Sequence, residues 1–98
     1  MSNGPFGRTW EEFEKEVFTP EEIAESKLRV ALMCRFIDTR NEAGISQREL
    51  EKLSGISQSS IARMEKGYTV PQLNTLLKLL AAMGKTLDIV PLEKPKSA

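Results

Sequence analysis

Apolar and polar residues recur along the chain with a period of three to four, which is the period of an amphipathic helix. The pair Thr19-Pro20 supplies a helix N-cap followed by proline at the first helical position, and Gly44 supplies a stop. The pattern therefore predicts one long helix from residue 20 to about residue 43, with Cys34 as a small residue of its core face. The apolar positions that define this predicted face are Val30, Met33, Cys34 and Ile37.

Two short segments that begin alike follow the long helix. Gly44-Ile45-Ser46-Gln47 recurs eleven residues later as Gly55-Ile56-Ser57-Gln58. Ser46 and Glu49 have the spacing of a capping box, and Ser57 caps a second helix start. Gly55 supplies the left-handed residue that ends the first of these helices and turns the chain. Two short helices joined by a tight glycine-containing turn are predicted, and this arrangement is a helix-turn-helix.

After the break at Val70-Pro71, the pattern predicts one more helix and then a strand. Residues 85–91, KTLDIVP, alternate, with Leu87 and Ile89 on one side and Val90 on the other. Because a single strand in a helical chain has unpaired edges, we expect it to pair with the same strand of a second copy across a twofold axis. An extended tail lying on the chain's own helices is the alternative. The helix before it has apolar residues at helical spacing, namely Leu73, Leu76, Leu77, Leu80 and Ala81.

The first 26 residues differ from the rest of the chain in charge and in aromatic content. They carry seven acids and two bases, whereas residues 27–98 carry twelve bases and seven acids, so the zero net charge divides into −5 and +5. Thr9 predicts the start of a short helix that places Trp10 and Phe13 on one stripe. This asymmetry indicates a nucleic-acid surface on the basic part and a different partner for the acidic arm. A solvated acidic helix without a partner is the alternative.

The composition excludes several classes of function. The chain contains no histidine, and its single cysteine cannot form an intrachain disulfide. The lack of histidine argues against most zinc sites and against histidine-based acid–base catalysis. Since there is also no glycine-rich phosphate loop, metal-ligand cluster or nucleophile–base pair, we expect neither an enzyme nor a bound cofactor or metal. No apolar run approaches the roughly 18–20 residues of a membrane span, and no signal peptide is present, so we expect a cytoplasmic protein without a membrane partner.

The stretch SQRELEKLSGISQSSIARMEKG, residues 46–67, resembles the helix-turn-helix of the phage-repressor-like family, also called the Cro/C1 or XRE type. Residues 36–83 resemble the helical domain of that family. The segments WEEFEKEVFTPEEIAES, VPQLNTLLKLLAAMGKTL and IVPLE are more closely similar to HigA-type antitoxins of bacterial toxin–antitoxin pairs. This second resemblance extends over residues 9–93. The departures are modest: Tyr68-Thr69-Val70 stands where many relatives carry Lys-Thr-Ser or similar residues.

The resemblance implies a sequence-specific transcriptional repressor whose second short helix enters the major groove of double-stranded DNA. Gln58 would then pair with adenine and Arg63 with guanine. Arg40 and Glu65 would form a structural ion pair between the first long helix and the end of the recognition helix. The other residues implied at the DNA surface contact phosphates or base edges, namely Gln47, Ser57, Ser59, Ser60, Lys66, Tyr68 and Thr69.

The resemblance to antitoxins also implies a protein partner, a small basic toxin that cleaves mRNA with the ribosome. Aromatic residues are frequent anchors of protein interfaces, and Trp10, Phe13 and Phe18 make up half of the six aromatic residues of the chain. The alternative is that these aromatic residues pack on the chain's own helices or across its dimer. A stand-alone XRE-type regulator without a toxin is the alternative function. The residues expected to bind the toxin are Trp10, Phe13, Glu14 and Phe18.

These observations predict an all-α fold. It consists of a repressor-like helix-turn-helix domain of four to five helices, an N-terminal helical arm and one C-terminal β-strand that pairs across a homodimer. The homodimer is expected to bind an inverted-repeat operator. The predicted divisions are an arm at 1–26, the DNA-binding domain at 27–84, a dimerisation strand at 85–92 and a flexible tail at 93–98.

Overall fold

The computed structural model describes residues 9–92, and these residues form five helices. The prediction of an all-α fold is confirmed. The first eight residues of the predicted arm and the predicted tail at 93–98 lie outside the described residues. The helices are α1 (Trp10–Val17), α2 (Pro20–Glu42), α3 (Gln47–Ser54), α4 (Gln58–Glu65) and α5 (Leu73–Ala82).

Three of the helices begin with a complete capping box. Thr9 caps α1, Thr19 caps α2 and Ser46 caps α3, and in each case the glutamate three residues on bonds back to the backbone of the capping residue. Ser57 caps α4 through its hydroxyl alone, because the residue three positions on is a serine. These bonds satisfy backbone N–H groups that have no partner within the helix, which fixes where each helix begins.

The core lies where α2, α3, α4 and α5 meet. Helix α3 packs against both α4 and α5, and the C-terminal half of α2 packs against α4. Large apolar side chains, which make up this core, each stabilise the fold by about 1.5–3 kcal/mol when fully buried. The buried residues are Met33, Phe36, Leu50, Ile61, Met64, Leu76, Leu79 and Leu80.

The predicted buried face of α2 is wrong at two positions. Val30 and Cys34 are exposed, and Ile37 is only half-buried. The buried residues of α2 are Met33 and Phe36, which are three positions apart and face the core. The large ring of Phe36 fills the core, and the face of α2 that carries Cys34 is therefore turned toward solvent.

Helix α1 packs against α2 and buries none of its own residues. Trp10 and Phe13 contact each other, with ring centroids 5.6 Å apart, while both side chains remain exposed. Helix α2 runs without a break across the division predicted between residues 26 and 27. The arm is therefore joined to the helical body by a continuous helix and not by a flexible linker.

The predicted C-terminal strand is absent from the described single chain. Residues 85–92 have no regular secondary structure, because one chain offers no strand edge with which their backbone could pair. Leu87 lines a surface groove together with Leu32, Leu80 and Met83, so the beginning of this segment lies against the helices. Ile89 is 96% exposed, in contrast. Pairing of the segment across a dimer remains a prediction.

Candidate nucleic-acid interface

Helices α3 and α4 are joined by a turn that depends on Gly55. This residue has φ +80°, a left-handed conformation that is accessible to glycine without steric cost. Its N–H donates to the Glu51 carbonyl at 2.8 Å and closes α3, and the Ser54 hydroxyl accepts from the N–H of Ile56 at 3.1 Å. Helix α4 then begins after Ser57. The short turn fixes the start of α4 relative to α3.

Helix α4 has one buried face and one accessible face. Ile61 and Met64 are buried in the core and hold the helix on the body. Ser59 and Arg63 are exposed and four residues apart, so they share the outward face. Gln58 is half-buried beside α3. The first turn of α4 therefore presents polar side chains to solvent, as a helix that reads a DNA groove requires.

The serines at the start of α4 differ in their hydrogen bonding. The Ser57 hydroxyl accepts from the Ser60 N–H at 3.2 Å and donates to the Ser60 hydroxyl at 2.8 Å. The Ser59 hydroxyl lies 3.4 Å from that of Ser57 and is exposed. Ser57 and Ser60 therefore act together as the helix cap, while Ser59 has the greater freedom to contact a ligand.

A network of side-chain hydrogen bonds links the three helices α2, α3 and α4. Arg40 Nε and Nη2 donate to the two carboxylate oxygens of Glu65 at 2.7 and 2.8 Å. Gln47 Nε2 donates to Glu65 Oε1 at 3.0 Å, and Gln58 Nε2 donates to Gln47 Oε1 at 2.9 Å. Arg40 also donates from Nη1 to the Ile45 carbonyl at 3.0 Å. The hydrogen bond with Glu65 raises the pKa of Arg40 above its ordinary value.

Sequence reasoning treated the ion pair and the two glutamines separately. The structure brings Arg40, Glu65, Gln47 and Gln58 into one network of hydrogen bonds. Gln47 connects Glu65 to Gln58, and the sequence did not predict this connection. The repeated Ile-Ser-Gln segments contain the only signal for it, since both glutamines stand directly after a helix cap. Equivalent first-turn positions in two adjacent helices can face each other across a tight turn.

Lys66, Tyr68 and Thr69 follow the end of α4 and are all exposed. The Tyr68 N–H donates to the Arg63 carbonyl at 2.9 Å, and the Gly67 N–H donates to the Met64 carbonyl at 3.0 Å. These bonds satisfy carbonyl groups at the helix end and hold the loop against α4. The loop and the outward face of α4 therefore belong to one rigid surface.

Within residues 9–92, no group of histidine, cysteine, aspartate or glutamate side chains is arranged to hold a metal ion. None of the helices in the same part of the chain is long and apolar enough to cross a membrane.

Comparison with known proteins agrees with this geometry. Residues 37–90 match the Helix-turn-helix family HTH_3. An uncharacterized HTH-type transcriptional regulator of Haemophilus influenzae is 61% identical over 88 residues, which cover 90% of each chain. The HTH-type transcriptional regulator PuuR of Escherichia coli is 38% identical over 54 residues, which cover 55% of this chain and 29% of that protein.

One solved structure is also similar. A chain of a toxin–antitoxin module from Streptococcus pneumoniae has 57% sequence identity and a TM-score of 0.65, and the match covers 88% of this chain and 96% of that chain. Both parts of the resemblance drawn from the sequence are therefore confirmed, the repressor-like domain and the likeness to toxin–antitoxin proteins. The chain belongs to the XRE-type helix-turn-helix family of DNA-binding transcriptional regulators.

Proposed function

We propose that this regulator is the antitoxin of a toxin–antitoxin pair, which binds its toxin directly and represses its own operon as a homodimer. The observation that carries the proposal is the surface of α1. Trp10 is 65% exposed, and Phe13 and Val17 are also exposed, on a helix that buries none of its residues. Phe18, which follows the helix as its C-cap residue, is exposed as well. Apolar side chains of this size at one edge of a molecule are typical of a protein interface.

The charge of the arm indicates the kind of partner. Glu11, Glu14 and Glu21 lie among the aromatic residues, and the first 26 residues carry a net charge of −5. A surface that is both acidic and aromatic fits a basic protein, because complementary charge directs the encounter and the aromatic residues supply the buried contacts. The similarity to a chain of a toxin–antitoxin module supports a toxin as that protein. We propose that this toxin is a small basic ribonuclease. Trp10, Phe13, Glu14 and Phe18 are its proposed contacts.

On DNA, α4 is proposed to enter the major groove. Gln58 and Arg63 would read base edges, since amide and guanidinium groups form bidentate pairs with adenine and guanine. The other residues would contact phosphates or base edges and fix the position of the helix. They are Gln47, Ser57, Ser59, Ser60, Lys66, Tyr68 and Thr69.

The proposed dimer places two copies of α4 on one face of the duplex. Leu87, Ile89 and Val90 would pair the C-terminal segments of the two chains across a twofold axis. This arrangement is supported by the exposure of Ile89 and Val90 in the single chain. The half-sites of an inverted-repeat operator would then lie about one helical turn, roughly 34 Å, apart.

The test begins with isolation of the partner. The tagged protein is captured from its own host, treated with nuclease, and analysed by intact mass for a stoichiometric small basic protein. The partner is then purified alone and assayed for cleavage of mRNA during translation. Added regulator should block cleavage, and the variant Trp10→Ala/Phe13→Ala should fail to block it.

Arg63→Ala is the matched control for this assay. It changes the proposed DNA surface and leaves α1 intact, so it should block cleavage as well as the unaltered protein does. Blocking by the arm variant at full strength would move the toxin interface onto the helical body. Recovery of DNA without a protein partner would support the second candidate, a stand-alone regulator.

A further inference from the structure

A surface groove of about 940 Å³, the α2–α5 groove, lies between the C-terminal half of α2, the end of α5 and the segment that follows α5. Leu80 belongs to the core, and Leu32 and Met83 pack against it, so the apolar side of the groove is continuous with the core. The volume is in the range of pockets that bind other molecules. The α2–α5 groove is therefore large enough and apolar enough to receive side chains from another segment.

The segment that follows α5 forms one wall of the α2–α5 groove. Lys85, Thr86 and Leu87 all line it, whereas successive side chains of an extended chain point to opposite faces. A wall that includes three consecutive residues is therefore an edge of the segment and not one of its faces. A second extended chain placed along this wall would lie in the groove.

The backbone of this segment is free to pair with another chain. The Lys85 N–H donates to the Leu80 carbonyl at 2.8 Å, but residues 86–92 make no backbone-to-backbone hydrogen bond with any residue that the structure describes. Ile89 and Leu92 are 96% and 89% exposed. An unpaired edge that carries exposed apolar side chains is suited to the addition of a second strand.

The two backbone edges of the segment differ in their free donors. In an extended chain, the N–H groups of successive residues point to opposite edges. Pro91 has no N–H, and the Ile89 N–H donates to Asp88 Oδ1 at 2.7 Å, so the edge of the odd-numbered residues is poor in donors. Pairing is therefore expected through the even-numbered residues. Antiparallel pairing of the segment with its own copy that includes all of residues 86–92 is centred on Ile89.

This register determines which residues meet. With Ile89 opposite Ile89 of a second copy, position 86 lies opposite position 92. The nitrogen atoms of Ile89 and Pro91 then point away from the paired strand, so neither interrupts the pairing. Thr86 belongs to the wall of the α2–α5 groove, and Leu92 of the second copy is thus brought into the groove.

We infer that the α2–α5 groove is a docking site for a second copy of this chain, and that Leu92 of the second copy fills it. This inference rests on the proposed function, in which the C-terminal segments pair across a dimer. It adds the occupant of the groove and the register of the pairing. Because the arrangement is symmetric, each copy inserts its own Leu92 and receives that of the other, which gives two equivalent contacts.

Disulfide trapping tests the register. In a Cys34→Ala background, which lacks the only native cysteine, Thr86→Cys/Leu92→Cys places thiols at opposed positions, with Cα atoms about 5.5 Å apart and within disulfide range. Mild oxidation should give a covalent dimer. Thr86→Cys/Val90→Cys is the matched control, because those positions are opposed only when pairing is centred on Asp88, and it should not crosslink. A disulfide within one chain would show that the groove holds the chain's own segment and would overturn the inference.

Sedimentation equilibrium measures the strength of the contact. Leu92→Ala should raise the dimer dissociation constant about a hundredfold, which is about tenfold for each of the two equivalent contacts. Leu73→Ala truncates a leucine that is 64% exposed at the start of α5, and should leave the constant unchanged. In a Met83→Ala background, Leu92→Ala should raise the constant by about tenfold or less, because side chains in contact have non-additive effects.

A dimer whose dissociation constant is unchanged by Leu92→Ala would overturn docking in the groove and leave dimerisation itself in place. A chain that sediments as a monomer at all concentrations would contradict dimerisation, and the inference would then fail together with that part of the proposed function.

Discussion

Arg40 and Glu65 form a bidentate ion pair, with N···O distances of 2.7 and 2.8 Å, between the last turn of α2 and the end of α4. The two residues are 25 positions apart in the chain. Their side chains are only 12% and 7% exposed. The same guanidinium donates to the Ile45 carbonyl in the turn before α3. One side chain therefore holds together α2, α4 and the loop that leads into the helix-turn-helix.

Removal of one partner of this pair should destabilise the protein strongly. Arg40→Met should lower the free energy of unfolding by about 3 kcal/mol, because it leaves the Glu65 carboxylate without its counter-charge in a water-poor position. Urea denaturation followed by circular dichroism measures the change. The double variant Arg40→Met/Glu65→Met should recover most of the loss, since no charge is then left unpaired.

Arg29→Met is the control for this prediction. Arg29 pairs with Glu25 at 2.9 Å within α2, but the two side chains are 44% and 70% exposed. Exposed pairs of this type contribute about 0.3–0.5 kcal/mol. An equal loss of stability in Arg29→Met and Arg40→Met would show that burial of the Arg40–Glu65 pair has no energetic consequence.

The corrected face of α2 gives a second prediction, on Phe36 and Cys34. Phe36 is 2% exposed in the core, so Phe36→Ala should destabilise the fold by about 3–5 kcal/mol through lost burial and the cavity that remains. Cys34→Ala, two residues away on the exposed side, should change stability by about 0.5 kcal/mol or less. Thermal and urea unfolding of the two variants measure the contrast. A loss of several kcal/mol in Cys34→Ala would indicate that Cys34 lies on the buried face of α2, as the sequence pattern predicted.

A third prediction concerns the capping box of α3 and its dependence on pH. The Ser46 N–H donates to Glu49 Oε1 at 3.1 Å, and this bond lowers the pKa of Glu49 from its ordinary value of 4.5. Because the folded-state pKa is below the unfolded one, the carboxylate stabilises the fold above about pH 4.5. That contribution is lost as the pH falls through the folded-state pKa.

Comparison of the unaltered protein with Glu49→Gln tests this linkage. The unaltered protein should melt at the higher temperature at about pH 7. The difference should close as the pH falls through the folded-state pKa of Glu49, below which the carboxyl group is protonated and resembles glutamine. Glu51→Gln removes the same charge from an exposed position of α3 away from the cap, and should show no such closing difference. A difference for Glu49→Gln that persists at low pH would assign the effect to shape and not to charge.

The sequence predicts helix starts well because capping is local. Thr9, Thr19 and Ser46 each bond with a residue three positions on, so the signal lies within four consecutive letters. The orientation of α2 depends on distant residues. Apolar side chains occur on several sides of this helix, and packing in the core buries Phe36 and leaves Val30 in solvent.

The same distinction applies to the candidate DNA surface. The position of Gln58 at the start of α4 follows from the Ser57 cap and is visible in the sequence. The direction of its amide depends on Gln47 and, through it, on Glu65, at separations of 11 and 18 residues. Such contacts depend on how three helices pack. The repeated Ile-Ser-Gln segments indicate that the two glutamines are equivalent, but they do not report the contact with Glu65.

The final prediction concerns Lys66 and the salt dependence of operator binding. Lys66 is exposed in the loop after α4 and is a proposed phosphate contact. Loss of one phosphate contact per subunit should reduce the slope of log affinity against log salt by about 0.9, and therefore by about 1.8 for a dimer. Lys66→Ala should show this reduction over a salt series with an operator duplex, and should weaken binding to all sequences about equally. Lys27→Ala removes an equal charge from the exposed surface of α2, away from α4, and should leave the slope unchanged. Equal slopes for the two variants would mean that Lys66 acts through net charge and does not contact the DNA backbone.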